Sequence, residues 1–274
     1  MPHTTDNALG AAVTDAPPPF ELLPGAGRSP VLLHVPHSAR DIPEDVRTGI
    51  VLDDGELARE LDHITDAHTA EIAEAAAGRA GVRPWRFVNR LSRLVVDPER
   101  FPDEREEMRA VGMGAVYTRT THGAVLRPEG VDPEPLVERY FRPYARAMTR
   151  AVADRLAAAG RAVIIDVHSY PSRRLPYELH GEGPRPAVCL GTDSFHTSPG
   201  LLSAAREAFG ETELDSPFSG TYVPLEFYRK DSRVEALMVE IRRDTYMTEP
   251  GGPAGPGLER LAAALARLVD AVSR

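Results

Sequence analysis

The sequence predicts an α/β protein of three layers, α/β/α, with a central, mainly parallel or mixed sheet. Three observations carry this. Short apolar runs of strand type recur along the chain, segments with helical spacing separate them, and stretches rich in Pro and Gly punctuate the alternation. In such sheets ligands gather at the C-terminal ends of the strands, so the residues that end each apolar run are where chemistry is sought.

Taken in order, residues 1–28 (MPHTTDNALGAAVTDAPPPFELLPGAGR) are rich in Pro, Ala and Gly and lack either periodicity. They are expected to form a flexible leader before a single catalytic domain spanning 29–274. Val31–Val35 is a short apolar strand stopped by Pro36, which places His37 at the strand's end. Residues 54–78 have helical spacing, with Leu57, Leu61, Ile64, Ala67 and Ile72 near one face. Asp62 and Asp66, four residues apart, would share a neighbouring face. RPWRFVNRLSRLVVDPERF reads as two short strands around an Asn-Arg turn. EPLVERYFRPYARAMTRAVADRLAAAG is a long amphipathic helix closed by Gly160, and it leads straight into the strand AVIID. A Pro/Gly-rich stretch then leads to a strand at 187–191, a helix near 199–209, a strand ALMVEIRR at 236–243 and a C-terminal amphipathic helix.

Composition narrows the function. Apolar residues make up 42% and charged residues 27%, the balance of a soluble globular protein. A net charge of -9 argues against nucleic acid as a partner, since phosphate binding requires clustered positive charge. The single cysteine, Cys189, excludes an internal disulfide and a Cys-based zinc site, so a metal must be held by His, Asp and Glu. No apolar run is long enough to cross a membrane, and no basic-then-apolar segment opens the chain, so no membrane partner and a cytoplasmic location are expected.

The strands end in chemistry. Asp166 and His168 close AVIIDVH, His37 follows VLLHV, and Glu240, Arg242 and Arg243 close LMVEIRR. Two histidines from separate strand ends, joined by a carboxylate, make the set that binds catalytic zinc and leaves a position open for water. Glu240, an ionisable residue within an apolar strand, suits the role of general acid/base. Each residue also has a plain structural reading. His34, His68, His122, His180 and His196 are more simply hydrogen-bonded structural histidines, and Glu240 could pair with an arginine of a neighbouring strand. Asp62 and Asp66 could be solvated or paired on the helix surface. Asn89, Arg90 and Arg93 could form a turn with ion pairs, or a pocket for carboxylates. A serine hydrolase built on Asp166, His168 and Ser169 lacks the G-x-S-x-G elbow such enzymes use.

The segments HVPHSARDIP (34–43), ELDHITDAH (60–68), VNRLSRLVVDPERF (88–101), IIDVHSYPS (164–172), CLGTDS (189–194) and VEIRRDTYM (239–247) together resemble the N-formylglutamate amidohydrolase family. That family is similar in fold and site to the zinc carboxypeptidases and aspartoacylases. The resemblance implies one Zn2+ per chain at His37 and His168, with Glu240 as general acid/base. Where carboxypeptidases carry a glutamate ligand three residues after the first histidine, this chain has Arg40, which cannot bind a cation. The resemblance therefore points to Asp62 as third ligand, with Asp41 as fallback. It implies that Arg90, Arg93 and Arg100, assisted by Asn89, hold the substrate's carboxylates. Asp97 would fix one of those guanidiniums, Asp166 would orient a ligand from the second shell, and the loop of Tyr117 would close over the site. The implied reaction is hydrolysis of N-formyl-L-glutamate to formate and glutamate, within histidine degradation. The alternatives are a zinc deacylase or carboxypeptidase acting on another N-acyl amino acid or peptide, and a dicarboxylate-binding protein without turnover.

Overall fold

A computed structural model describes residues 19–180 and 182–274. Its centre is a seven-stranded sheet in the order β1-β3-β2-β4-β7-β5-β6. The strands are β1 (Phe20–Leu23), β2 (Val31–Val35), β3 (Trp85–Asn89), β4 (Ala162–Tyr170), β5 (Val188–Gly191), β6 (Glu213–Leu214) and β7 (Val234–Arg242). The middle strands β3, β2, β4 and β7 run parallel, while β1 and β5 pair antiparallel to β3 and β7. The sheet is therefore mixed. Every residue of β4 is buried, the burial expected of a central strand covered on both faces.

The helices are α1 (Glu44–Arg47), α2 (Asp54–Ile64), α3 (Thr69–Arg79), α4 (Glu134–Leu136), α5 (Arg142–Ala159), α6 (Pro199–Phe209) and α7 (Gly257–Val272). On one face Ile72 and Ala76 of α3, Leu201 and Ala205 of α6, and Leu261, Leu265 and Val269 of α7 pack on Val163, Ile165 and Val167 of β4. On the other, Tyr144, Met148 and Val152 of α5 pack on Leu32, Phe87 and Ile164. This gives the three layers. Each fully buried aliphatic side chain contributes about 1.5–3 kcal/mol, so these two clusters dominate the cohesion of the sheet and its cover.

Three expectations are corrected. Residues 20–23, placed in the leader, form edge strand β1, in which FELL pairs antiparallel with β3; residues 1–18 lie outside the described set. The segment after Asn89 does not return as a strand. Its apolar residues Leu94, Val95 and Val96 are buried in turns, where Arg127 donates to the Leu94 carbonyl and satisfies backbone that has no strand partner. Finally, the helix expected over 54–78 is broken. Thr65 is extended, with ψ 134°, and His68 is left-handed, with φ 65°, so α2 and α3 are separate helices.

Register decides what faces the site. His34 lies opposite Asp166, and His168 lies opposite Glu240. Alternate strand residues share a face, so His34, Asp166, His168 and Glu240 all project to the α5 side.

Candidate metal centre

Pro36 ends β2, and its carbonyl accepts a 2.9 Å hydrogen bond from Asn89 Nδ2, which fixes the chain just before His37. The His37 carbonyl in turn accepts from the Asp66 N–H at 3.0 Å. The break between α2 and α3 thus delivers Asp66 beside His37, where an unbroken helix would keep it on the surface. His168 arrives from β4. Its Nδ1 lies 3.2 Å from His37 Nδ1 and 3.1 Å from Asp66 Oδ2, and the third side of the triangle, His37 Nδ1 to Asp66 Oδ2, is 3.7 Å. Tetrahedral ligands at the ~2.0–2.1 Å of zinc stand roughly 3.3–3.4 Å apart. All three side chains are buried.

The outer contacts say which atoms face inward. His37 Nε2 donates to Asp97 Oδ1 at 2.9 Å, leaving Nδ1 as a lone pair. His168 Nε2 lies 3.0 Å from Asp166 Oδ1 and 3.2 Å from Glu99 Oε2 without hydrogen-bond geometry to either. Two imidazole nitrogens and a carboxylate oxygen converge in a buried space. Such a set repels itself unless a proton or a cation lies between. The donor set fits a zinc-type ion.

The carboxylates are themselves held. Asp97 accepts from Arg93 at 2.7 Å and from the Tyr117 hydroxyl at 2.5 Å. Burial alone would raise its pKa, but Arg93, His37 and Arg100 hold it well below the ordinary carboxylate range. The second oxygen of Asp66 accepts from Arg243 Nη2 at 3.0 Å. Burial would weaken His168 as a base, yet Asp166 and Glu99 raise it well above the ordinary imidazole range. Glu240 is buried next to His168 and its Oε2 has no hydrogen-bond partner. Burial, aided by the Asp66 charge and only partly opposed by His168, pushes its pKa up to about 7. A carboxyl so placed can hold or release a proton at neutral pH.

Of the residues singled out from sequence, the structure brings together His37, His168, Glu240, Asp97 and Asp166. Asp62 stands apart, because it stays on α2 and pairs with Arg40 at 2.7 Å at the surface. The fallback, Asp41, is exposed. Arg90 is also displaced: it lies half exposed at the sheet edge and pairs with Glu21 of β1. Asn89 serves the backbone of the Pro36 turn, and its Oδ1 accepts from the Leu91 N–H. Arg93 is spent on Asp97 and Tyr117. Tyr117 is fully buried behind the site, so its loop is already in place as part of the wall. Arg100 reaches a cavity of about 950 Å³, lined also by Glu99, Asp166, Arg105, Arg146 and Arg150. Ser169 turns away from Asp166 and His168, and its hydroxyl accepts from Arg243, so the serine triad is not assembled. Sequence reasoning did not place Asp66 beside His37 and His168, nor Arg243 against it. The stretch DHITD (62–66) held both aspartates, but nothing in it marked the break that separates them.

Fold and site together are those of an α/β protein with buried residues able to hold a metal ion. The sequence model of the N-formylglutamate amidohydrolase family matches residues 29–247, and the chain belongs to that family. A relative from Pseudomonas putida, named N-formylglutamate deformylase, is 29% identical over 237 residues, covering 81% of this chain and 84% of the relative. The crystal structure of N-formylglutamate amidohydrolase from Ralstonia eutropha JMP134 superposes with a TM-score of 0.78 at 24% identity, covering 93% of this chain and 97% of that one. A gene product of Agrobacterium tumefaciens superposes at 0.68 and 18% identity, over 92% and 94% of the two chains. These structures share the fold.

Proposed function

We propose that this protein hydrolyses the amide of N-formyl-L-glutamate to formate and glutamate, using one zinc ion held by His37, Asp66 and His168. The observation that carries the reading is the convergence of two buried imidazole nitrogens and a carboxylate oxygen beside a carboxyl poised near neutrality. The name of the Pseudomonas relative supports the substrate. The reading implies a cytoplasmic enzyme of histidine degradation acting on a small N-acyl amino acid.

When bound, zinc supplies Lewis acidity toward water and the formyl carbonyl. Everything else falls to the chain. Glu240 Oε2, unpartnered and buried, takes a proton from the attacking water and returns it to the leaving amine nitrogen. Arg100, held between Asp97 and Glu106, presents a guanidinium at the cavity wall for a substrate carboxylate. Asp97 keeps the His37 imidazole turned so that Nδ1 faces inward, and the Asp166 charge stands 3.0 Å from His168 Nε2.

Replacing Glu240→Gln is expected to leave zinc content unchanged and to lower turnover by about 10²- to 10⁴-fold, read by metal analysis and formate release. Near-normal turnover would remove Glu240 from the mechanism. The cavity of about 950 Å³ is lined by Glu99, Arg100 and Asp166, though not by His37, Asp66, His168 or Glu240. Its room beside the centre supports a second reading in which a larger N-acyl amino acid or short peptide is the substrate. A panel of N-acyl glutamates, N-acyl aspartates and short peptides, compared by kcat/KM, separates the two.

A further inference from the structure

Next to the centre just described lies a group that the proposed reaction leaves unused. His34 Nδ1 is 2.9 Å from Asp166 Oδ1 and 3.4 Å from Glu99 Oε1. His34 and Asp166 are buried, with 0% and 1% of their surfaces exposed, and the Glu99 side chain is 15% exposed. None of the three atoms has a partner in hydrogen-bond geometry. The three atoms lie within 4.8 Å of one another, close enough to share one ion. We infer that His34, Glu99 and Asp166 form a second cation site, separate from the His37, Asp66 and His168 group and open to the large cavity.

Three features favour a cation over a simple proton on His34. A proton on Nδ1 can serve one carboxylate, whereas two face it, each with an orphaned oxygen. An unpaired buried acceptor costs about 1–3 kcal/mol, so two such atoms are not left idle without cause. His34 Nε2 lies 2.6 Å from the Tyr144 hydroxyl on α5, which can accept its N–H and leave Nδ1 as the free lone pair. Glu99 and Asp166 also line the cavity, which gives an ion a route in. One imidazole and two carboxylates suit a divalent first-row transition cation, and the two negative charges neutralise it. Three protein ligands leave coordination positions for water or an anionic oxygen from the cavity side.

The other potential group at this end, His37 with Asp97 and Glu99, is ruled out because Asp97 is already saturated by Arg93, Tyr117 and the Glu99 N–H. His168 Nε2 approaches both Asp166 and Glu99 and belongs to the first group, so it is left untouched in the test.

The full-length protein, stripped with a chelator, is titrated with Co2+ followed by its visible absorption, and with Zn2+ followed by metal analysis after gel filtration. Two equivalents are expected to bind. His34→Ala and the near-isosteric Glu99→Gln should each bind one, with the first-site cobalt spectrum retained. Asp66→Ala, whose side chain contacts His37, His168 and Arg243 but none of the second group, should lose that spectrum and keep the other equivalent, so failure of one site is distinguished from failure of the other. Circular dichroism of each variant reports folding, and Glu99→Gln, at a partly exposed carboxylate, keeps the test open if His34→Ala does not fold. Saturation of the unaltered protein at one cation, or survival of the second equivalent in Glu99→Gln, overturns the inference.

Discussion

Glu240 is held in place by its own strand, in register with His168, and by the absence of any donor to its Oε2. Its pKa has a consequence for stability. In the unfolded chain the group releases its proton near 4.5, whereas in the fold it keeps it to about 7. The folded state therefore binds more protons between those values, and the contribution of Glu240 to stability falls as pH rises through that window. The difference between the metal-free protein and Glu240→Gln, measured by denaturant unfolding from pH 4.5 to 7, should change in favour of the variant as pH rises. Asp66 and Asp62 give a second comparison. Asp66→Asn is expected to lower zinc affinity by at least tenfold, while Asp62→Asn breaks only an exposed pair with Arg40 and should change stability by less than about 1 kcal/mol. Isothermal titration and thermal melts check both. The two aspartates looked alike in the sequence because both sat one helical turn apart in an apparently continuous pattern. His37, His168 and Glu240 were legible because a polar residue at the end of a buried strand stands out against its neighbours. Arg90 was not, since its partner Glu21 lies in a stretch whose composition gave no sign of a strand.

At the scale of elements, the break between α2 and α3 is the decisive local event. The N-terminal side is well built, with Asp53 and Glu56 forming a reciprocal capping box on α2. At the other side His68 takes a left-handed backbone, which costs a non-glycine residue about 1–2 kcal/mol, and its Nε2 donates to the Gly252 carbonyl at 3.0 Å. Replacing His68→Val loses that bond and puts a β-branched side chain at φ 65°, so a fall of several degrees in Tm is expected, together with weakened zinc binding. His68→Gly trades the lost bond against relieved strain and should be close to neutral. No Gly or Pro lies between Thr65 and Thr69, which is why the sequence pattern ran on through the break. β4, β7, α5 and α7 were legible because their periods are long and uninterrupted. Leu94 to Val96 misled because β-branched residues favour strands, while here distant Arg127 supplies the hydrogen bond that a strand neighbour would have given.

At the scale of the whole molecule, metal, proton and fold are linked. His168 is held well above the ordinary imidazole range by Asp166 and Glu99, so a cation must displace a proton from it. Zinc affinity is therefore expected to rise with pH across neutrality, with protons released on binding, as calorimetry in buffers of different ionisation enthalpy would show. Ligand binding to the native state alone adds RT ln(1 + [L]/Kd), about 2.7 kcal/mol at 100-fold excess over Kd. A chelator should accordingly lower Tm and abolish turnover, and added zinc should restore both. Recovery of activity without metal would contradict the centre proposed here. The protein carries a net charge of -9, and the cavity lining follows it, since Arg100, Arg105, Arg146 and Arg150 stand there beside the more numerous carboxylates of Glu99, Glu106, Glu107, Asp166, Asp193 and Glu226.

The pairing of β4 with β7, nine consecutive backbone partners, places His168 and Glu240, the ligand and base proposed above, directly across from each other. Pleat alternation makes that arrangement a matter of parity. A single codon inserted into β7 ahead of Glu240 would turn its carboxyl toward the α3, α6 and α7 side, leaving a sheet that can still form but has lost its proton carrier. Drift in the surrounding loops can thus alter what enters the cavity, whereas the spacing inside this one strand pair tolerates no change of frame.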